Sequence, residues 1–175
     1  MPLLTIGYST LAERVKNIRF PKSADWEYQV HVQQAKTKPV KPGVVYLDSS
    51  GVAKSRNSAI QHASGTYLLF GDDDVVFHEQ ALTEALRYLD HHPKVSLLLA
   101  SAVDETGNLR KNYPTRLTKL NKFNCARAAT YEMIVRVEDV KKYGVLFDED
   151  FGAGAKNHLG DEYIFIADLI SKGAE

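Results

Sequence analysis

The sequence predicts an α/β fold: one domain with a mostly parallel central sheet flanked by helices. Short apolar, β-branched segments alternate with segments of helical period over residues 1–103. The clearest helix, 78–92, repeats alanine and leucine at helical spacing and is stopped by Pro93. A length of 175 residues without an internal repeat fits a single domain, 1–175.

The N-terminal elements follow from simple patterns. Residues 2–7 are apolar and β-branched and predict a buried strand. The capping-box pattern Thr10-Leu-Ala-Glu13 then predicts the start of a helix. Alternating apolar and polar residues over 26–32 predict a half-buried strand, with His31 among its polar positions.

The same signals predict the remaining elements. They comprise strands at 43–47, 67–70, 95–103 and 128–137, helices at 53–63, 138–143 and 160–172, a hairpin turn at 104–108, and loops at 36–43 and 147–160.

Composition excludes several classes of protein. The 22 basic and 22 acidic residues give no net charge, which argues against a nucleic-acid partner. One cysteine, Cys125, cannot form an internal disulfide. The longest apolar stretches fall short of the ~20 residues of a membrane span, and residues 1–6 lack the pattern of a signal peptide. We therefore expect a cytoplasmic protein.

Three carboxylates, Asp72, Asp73 and Asp74, directly follow the apolar strand 67–70. Open α/β sheets bind ligands beyond the carboxyl ends of their strands. Adjacent carboxylates repel one another, and Mg²⁺ or Mn²⁺ would offset that repulsion while leaving sites for phosphate. A solvated acidic turn is the alternative for an isolated triplet.

The residues around the triplet, 51–74, resemble a family-2 glycosyltransferase of the GT-A fold. They contain Arg56-Asn57, a short helix, Gly65-x-Tyr67, an apolar strand and the D-x-D acids, in the family's order. The resemblance implies that Asp72 and Asp74 are the outer acids of D-x-D. Asp74 would bind the metal directly, and Asp72 would face the ribose or the metal shell, with Asp73 between them.

Arg56 allows two interpretations. Taken alone it is a surface residue of a helix. A planar cation also suits a diphosphate, and the resemblance favours a role in the nucleotide pocket.

Two further strand ends resemble the family less closely. Gly7, Tyr8 and Ser9 stand where GT-A enzymes contact the nucleotide, although helix capping alone would account for Ser9. Gln33 and Gln34 stand where the family has an acid that reads the base. A glutamine amide donates and accepts, so it suits a uracil edge, and we expect a UDP-linked donor.

The segment 147–165 carries the second half of the resemblance, F-D-E-x-F-G-x-G-A followed by Gly160-Asp161-Glu162. In inverting members the second acid of the pair is the catalytic base, which maps onto Glu162, beside Asp161. Acids at a helix N-terminus also stabilise the helix dipole, and this interpretation explains either acid alone.

The resemblance implies an inverting, metal-dependent hexosyl- or N-acetylhexosaminyltransferase of polysaccharide biosynthesis, with Mn²⁺ or Mg²⁺ as cofactor. Residues 1–103 would bind the nucleotide and 104–175 would hold the acceptor and the catalytic base. Family members usually continue with another strand and further helices, so the chain looks truncated at its C-terminus or is a minimal member of the family.

The acceptor would be a saccharide or a lipid-linked molecule, and a lipid-linked acceptor would place the protein at the inner face of the membrane. The basic stretch 110–122 would then meet a lipid phosphate, or is simply a solvated loop. Two alternatives stay open: a nucleotide-sugar-binding domain without activity, and a sugar nucleotidyltransferase.

Overall fold

A computed structural model describes all residues, 1–175. It contains one six-stranded sheet and four α-helices. The strands are β1 (Leu4–Leu11), β2 (Trp26–Gln33), β3 (Val44–Leu47), β4 (Tyr67–Asp72), β5 (Leu97–Leu99) and β6 (Met133–Arg136). The helices are α1 (Val52–His62), α2 (Glu79–His91), α3 (Val137–Tyr143) and α4 (Asp161–Ser171).

The strand order is β3-β2-β1-β4-β6-β5. The first four of these strands are mutually parallel, whereas β6 runs antiparallel to both β4 and β5. The predicted α/β domain with a mostly parallel sheet is therefore confirmed. The carboxyl ends of β1, β2 and β4 meet at one edge, where the parallel part of such a sheet binds ligands.

Two apolar clusters cover the sheet, one on each face. The first joins α1, α3 and α4 to β4 and β6, and the second joins α2 to β1, β2 and β4. Fully buried side chains of the two clusters include Leu68, Phe165, Ile166 and Met133 in the first, and Leu4, Ile6, Leu86 and Leu89 in the second.

The predicted helix start at Thr10–Glu13 is wrong. β1 continues to Leu11 and is followed by a 3₁₀ helix at Ala12–Asn17. The reason is pairing on both sides: β1 is in register with β2 as far as Gln33 and with β4 as far as Asp72. Hydrogen bonds within the sheet pair the backbone groups that the start of a helix would leave unpaired, so these residues need no capping side chain.

Two other strands are shorter than predicted. The apolar run 95–103 contributes only Leu97–Leu99, and the run 128–137 contributes only Met133–Arg136. Two 3₁₀ turns, Cys125–Arg127 and Thr130–Glu132, precede the second of these strands. The predicted turn at 104–108 is confirmed by a bridge between Val103 and Leu109.

β2 is buried on both faces rather than on one. Gln29, His31 and Gln33 point toward α1 and are almost fully enclosed, contrary to the half-buried strand expected from alternation. His31 Nδ1 lies 2.9 Å from Ser58 Oγ on α1, while its Nε2 has no partner. Burial, with a smaller contribution from nearby His62, lowers the pKa of His31 to about 4.

We expect the stability of the domain to depend on His31 between pH 6.5 and pH 4. A folded-state pKa below the ordinary 6.5 means that the unfolded chain binds the proton more readily. The stabilisation is therefore complete above pH 6.5 and is lost as the pH falls toward 4, by about 3 kcal/mol in total. Urea unfolding of the wild type and His31→Gln at pH 7 and pH 5 measures it.

Exposed His158 is the matched control for this measurement, because His158→Gln should leave the pH dependence unchanged. The comparison with a variant is needed because Asp161, whose raised pKa is described below, shifts stability in the opposite direction. Equal pH dependence in His31→Gln and the wild type would contradict the prediction.

Candidate functional site

The acidic triplet lies at the carboxyl end of β4, at the centre of the sheet. Asp72 is the last residue of the strand and pairs in register with Ser9 on β1. The side chain of Asp72 is 35% exposed and that of Asp74 is 69% exposed, so both carboxylates face the crevice. Asp73 is buried between them. Ser9 and the triplet thus lie together at this edge of the sheet.

Asp73 is held by residues from the end of β1 and the 3₁₀ helix that follows it. The hydroxyl of Thr10 donates to Asp73 Oδ2 at 2.6 Å. Arg14 Nη2 lies 2.5 Å from Asp73 Oδ1 and 3.2 Å from Asp74 Oδ2. One guanidinium therefore spans two acids of the triplet, and Asp73 is a structural anchor for it.

Arg56 joins the triplet to the second acidic site. Its guanidinium, only 7% exposed, forms an ion pair with Asp161 and lies 3.5 Å from Glu162 Oε1 and 4.0 Å from Asp72 Oδ1. The sequence interpretation of Arg56 as a surface residue is thereby excluded. The two acidic motifs, separated along the chain, share this one buried cation.

Asn57, next to Arg56, ties the acidic loop to α1. Its side chain accepts from the backbone N–H of Phe147 at 2.7 Å and donates to the carbonyl of the same residue at 2.9 Å. The Phe147 ring stacks on Phe165 of α4 at 4.2 Å and lies 5.6 Å from the Arg56 guanidinium carbon. Asn57 thus has a structural role in placing Arg56 against α4.

The glycine-rich part of the acidic loop packs against both helices. A Cβ at Gly152, where φ is +91°, would lie 2.8 Å from Asp161 Cγ and 2.9 Å from Val52 Cγ1. The N–H of Val52 donates to the carbonyl of Ala153 at 2.9 Å. Only glycine lets this loop approach the N-termini of α1 and α4 so closely.

The pKa values of the two acids at the start of α4 are shifted in opposite directions. Burial raises the pKa of Asp161 to about 6, although Arg56 opposes this. Burial also acts on Glu162, but a 2.7 Å hydrogen bond from the Thr130 hydroxyl and the charge of Arg56 outweigh it and lower the pKa of that carboxyl. Glu162 is therefore the more acidic of the two and is ionised at neutral pH, in the state that a base requires.

Gly7 and Tyr8 lie inside β1 and not at its end, which corrects the expectation that they contact the nucleotide. The Tyr8 ring is fully enclosed against Phe20 and Phe77. A Cβ at Gly7 would lie 2.6 Å from Ala59 Cβ, so this glycine permits close packing of α1 on the sheet. The Tyr8 side chain is therefore enclosed in the core and does not reach the carboxyl edge of the sheet.

The two glutamines at the carboxyl end of β2 are placed differently from each other. Gln33 is buried and its amide donates to the carbonyl of Gly51 at 2.8 Å, which fixes the turn before α1. Gln34 is exposed, with a left-handed φ of +57°. Its amide is free of the sheet, and the predicted role in reading the base stays a prediction for both.

The site contains three residues that the sequence did not predict, which are Thr10, Arg14 and Thr130. Thr10 and Arg14 hold the triplet, and Thr130 binds Glu162. Thr10 was assigned to a helix start, Thr130 lay in a predicted strand, and a lone arginine after a strand carries no motif. Only the fold brings these residues to the acids.

The donor set fits a divalent cation that also binds phosphate. Burial, followed by the charges of Asp74, Asp73 and Glu162, raises the pKa of Asp72 despite the opposing charge of Arg56, so the crevice holds excess negative charge. No three His, Cys, Asp or Glu side chains converge on one point. A hard cation here would take one or two carboxylates, from Asp72 and Asp74, and complete its shell with diphosphate and water.

The structure is thus a single α/β domain whose ligand crevice, at the carboxyl edge of the sheet, is lined by two acidic motifs bridged by an arginine. The family model described as glycosyl transferase family 2 matches residues 27–143, which is more than half of the chain. The chain belongs to this family. No curated protein matches the sequence.

Similar solved structures show the GT-A fold. S. aureus TarS 1–349 has a TM-score of 0.61 at 21% identity, with 97% of this chain and 55% of that chain covered. The same protein in complex with UDP-GlcNAc has a TM-score of 0.57 at 19% identity, with 95% of this chain and 54% of that chain covered. The mannosyltransferase PcManGT from Pyrobaculum calidifontis, in complex with GDP-Man and Mn²⁺, has a TM-score of 0.58 at 14% identity, with 99% of this chain and 53% of that chain covered.

The chain therefore spans about half the length of these structures. At such identities the likeness establishes the fold alone. No helix of the domain is long and apolar enough to cross a membrane.

Proposed function

We propose that this domain transfers a sugar from a nucleotide-diphosphate donor to an acceptor hydroxyl, with inversion at the anomeric carbon. The observation that carries the proposal is the buried Arg56, which holds the D-x-D acid Asp72 and the acid pair Asp161–Glu162 around one crevice. A donor site and a base must lie this close for transfer in one step.

In the proposed reaction Glu162 takes the proton of the acceptor hydroxyl. The acceptor oxygen forms a bond to the anomeric carbon while the bond from that carbon to the diphosphate oxygen breaks, so no sugar–enzyme bond forms. Thr130 orients Glu162 through its 2.7 Å hydrogen bond, and Arg56 keeps the carboxyl ionised.

Asp72 and Asp74 are proposed to hold Mn²⁺ or Mg²⁺, which when bound supplies Lewis-acid stabilisation of the departing diphosphate. Ser9, beside Asp72, is proposed to contact the nucleotide. Asp73 is proposed to position the two outer acids. We infer a UDP-linked donor read by Gln34, with Gln33 fixing the neighbouring turn. PcManGT, which has the same fold, is in complex with GDP-Man, so the base of the donor must be measured.

Nucleotide binding tests the donor site. We expect UDP or a UDP-sugar to bind more tightly with Mn²⁺ than without it, and Asp74→Asn to weaken the metal-dependent part at least about tenfold, or ~1.4 kcal/mol. Calorimetric titration of UDP, GDP and CDP with and without Mn²⁺ measures this directly.

The matched control is Asp25→Asn, an exposed acid just before β2 at the opposite end of the sheet, which should bind as the wild type does. Absence of binding to every nucleotide would contradict the proposed donor site. Binding without transfer would favour a nucleotide-sugar-binding domain without activity.

A further inference from the structure

One stretch of this neutral chain, residues 109–131, carries positive charge alone, and we call it the acid-free segment. It contains no aspartate or glutamate. Its basic residues are Arg110, Lys111, Arg116, Lys119, Lys122 and Arg127. Lys111 is engaged by buried Glu132, whereas Arg116, Lys122 and Arg127 are exposed and form no ion pair. A polyanionic partner is the simplest complement of such a surface.

Apolar side chains stand among these exposed cations. Leu117 is 68% exposed and Phe123 is 95% exposed. Single exposed apolar residues are common and need no explanation. Here, however, an aromatic ring and a leucine lie within the basic run, which is the composition of a surface that enters the interfacial region of a membrane.

The chain holds Phe123 outward by a hydrogen-bonded turn. Asn121 Oδ1 accepts from the backbone N–H groups of Phe123 and Asn124 at 2.8 and 3.1 Å, and Asn124 Oδ1 accepts from the N–H of Asn121 at 2.8 Å. Cys125, fully buried, anchors the turn to the core. A fixed turn with Lys122 and Phe123 at its tip presents a charge and a ring together.

A cavity of about 790 Å³ separates the acid-free segment from the edge strand β5. Its apolar lining includes Leu97, Leu99, Leu117 and Leu120, and its basic lining includes Arg116 and Arg127. The two acids in the lining, Glu132 and Glu175, pair with Lys111 and Lys119. An apolar cavity beside exposed cations fits an anionic amphiphile better than a fully polar polyanion. Nucleic acid would need base or backbone contacts along a basic stripe, and this domain has no net charge to support them.

We propose that the acid-free segment docks the domain on an anionic phospholipid surface, with Arg116, Lys122 and Arg127 at the headgroups and Phe123 at the acyl boundary. The proposal is independent of the nucleotide-sugar reaction, because the residues varied below form no hydrogen bond or ion pair with the acidic site. Docking of this kind would hold the domain at a membrane surface without a membrane-spanning helix.

Vesicle sedimentation tests the proposal. The full chain should bind vesicles of phosphatidylglycerol and phosphatidylcholine and not vesicles of phosphatidylcholine alone. Each basic residue near an anionic surface contributes ~1 kcal/mol, or about fivefold, so the Arg116→Gln/Lys122→Gln variant should bind about 25-fold more weakly. Raising the salt concentration should weaken binding, and millimolar inorganic phosphate should not compete.

The matched control lies at the opposite edge of the sheet, in the loop before β3, where Lys36 and Lys41 are exposed. Lys36→Gln/Lys41→Gln changes the net charge by the same amount and should bind like the wild type. Phe123→Ser should weaken binding, whereas Val40→Ser, also at an exposed site, should not.

Insertion of the Phe123 side chain into the lipid is measured separately, by fluorescence quenching. Trp26 is the only tryptophan, so Trp26→Phe/Phe123→Trp places a single fluorophore at the turn, and brominated lipid should quench it. Failure to bind anionic vesicles, equal losses in the two double variants, or binding to heparin or DNA but not to vesicles would overturn the proposal. Folding of each variant is checked by circular dichroism.

Discussion

Replacing Glu162 with glutamine is expected to lower the rate of sugar transfer by about 10²–10⁴-fold, the contribution of a positioned general base. Glutamine keeps the size of the side chain and still accepts the hydrogen bond from Thr130, so the site should retain its shape. Nucleotide binding should be unchanged, because in the proposed reaction Glu162 acts on the acceptor and not on the nucleotide. A transfer assay combined with calorimetry separates these two effects.

Glu105→Gln is the matched control for this experiment. Glu105 lies in the exposed hairpin turn 104–108, outside the site, and its replacement should leave the transfer rate unchanged. Full activity of Glu162→Gln, or a product that keeps the donor's anomeric configuration, would contradict the assignment of Glu162 as the base of an inverting reaction.

Arg56→Gln is expected to lower the free energy of unfolding by about 3–5 kcal/mol, which is the cost of leaving buried acids without their cation. Asp161 is 4% exposed and Arg56 is 7% exposed, so water cannot replace the ion pair. Urea unfolding at pH 7 measures the loss. Arg56→Gln/Asp161→Asn should recover part of it, because the second change removes the unpaired charge.

The exposed pair Lys38–Asp48 provides the control. Lys38→Gln removes the same kind of pair at the surface and should cost at most about 1 kcal/mol. Equal losses of unfolding free energy in Lys38→Gln and Arg56→Gln would contradict the prediction. So would a double variant whose loss is the sum of the losses of Arg56→Gln and Asp161→Asn, because the two side chains would then not be coupled.

The sequence predicted those parts of the fold that depend on local pattern. The apolar period of α2 and the glycine that closes α3 lie where expected, as does the turn after Val103. The acids of the triplet were placed at a strand end because an apolar run and a polar run meet there. Local chemistry alone decides such features.

Elements that depend on distant partners could not be predicted in this way. Thr10 and Glu13 carry a true capping-box pattern, yet pairing of β1 with strands on both sides extends the strand through Leu11. His31 occupies a polar position in an alternating strand, but packing of α1 on that face buries it. Tertiary contacts override local preference at both positions.

In the candidate site, too, local motifs could be predicted from the sequence and contacts between distant residues could not. Asp72, Asp74 and Glu162 were found through motifs, each within a continuous stretch of sequence. The contact of Arg56 with Asp161 joins residues 105 positions apart, and no spacing rule connects them. Arg14 was missed for the same reason.

The position of β6 constrains the order in which the chain is completed. β6 lies between β4 and β5 in the sheet but follows both in the sequence, so residues 73–132 must be made before it can insert. Until then β4 presents an unpaired edge, and β5 has no neighbour through which to join the sheet. An unpaired apolar edge is a template for self-association, and pairing between distant strands is slow. A chain that ends before residue 136 therefore lacks the strand that covers the β4 edge, and self-association through that edge is expected until β6 has been made.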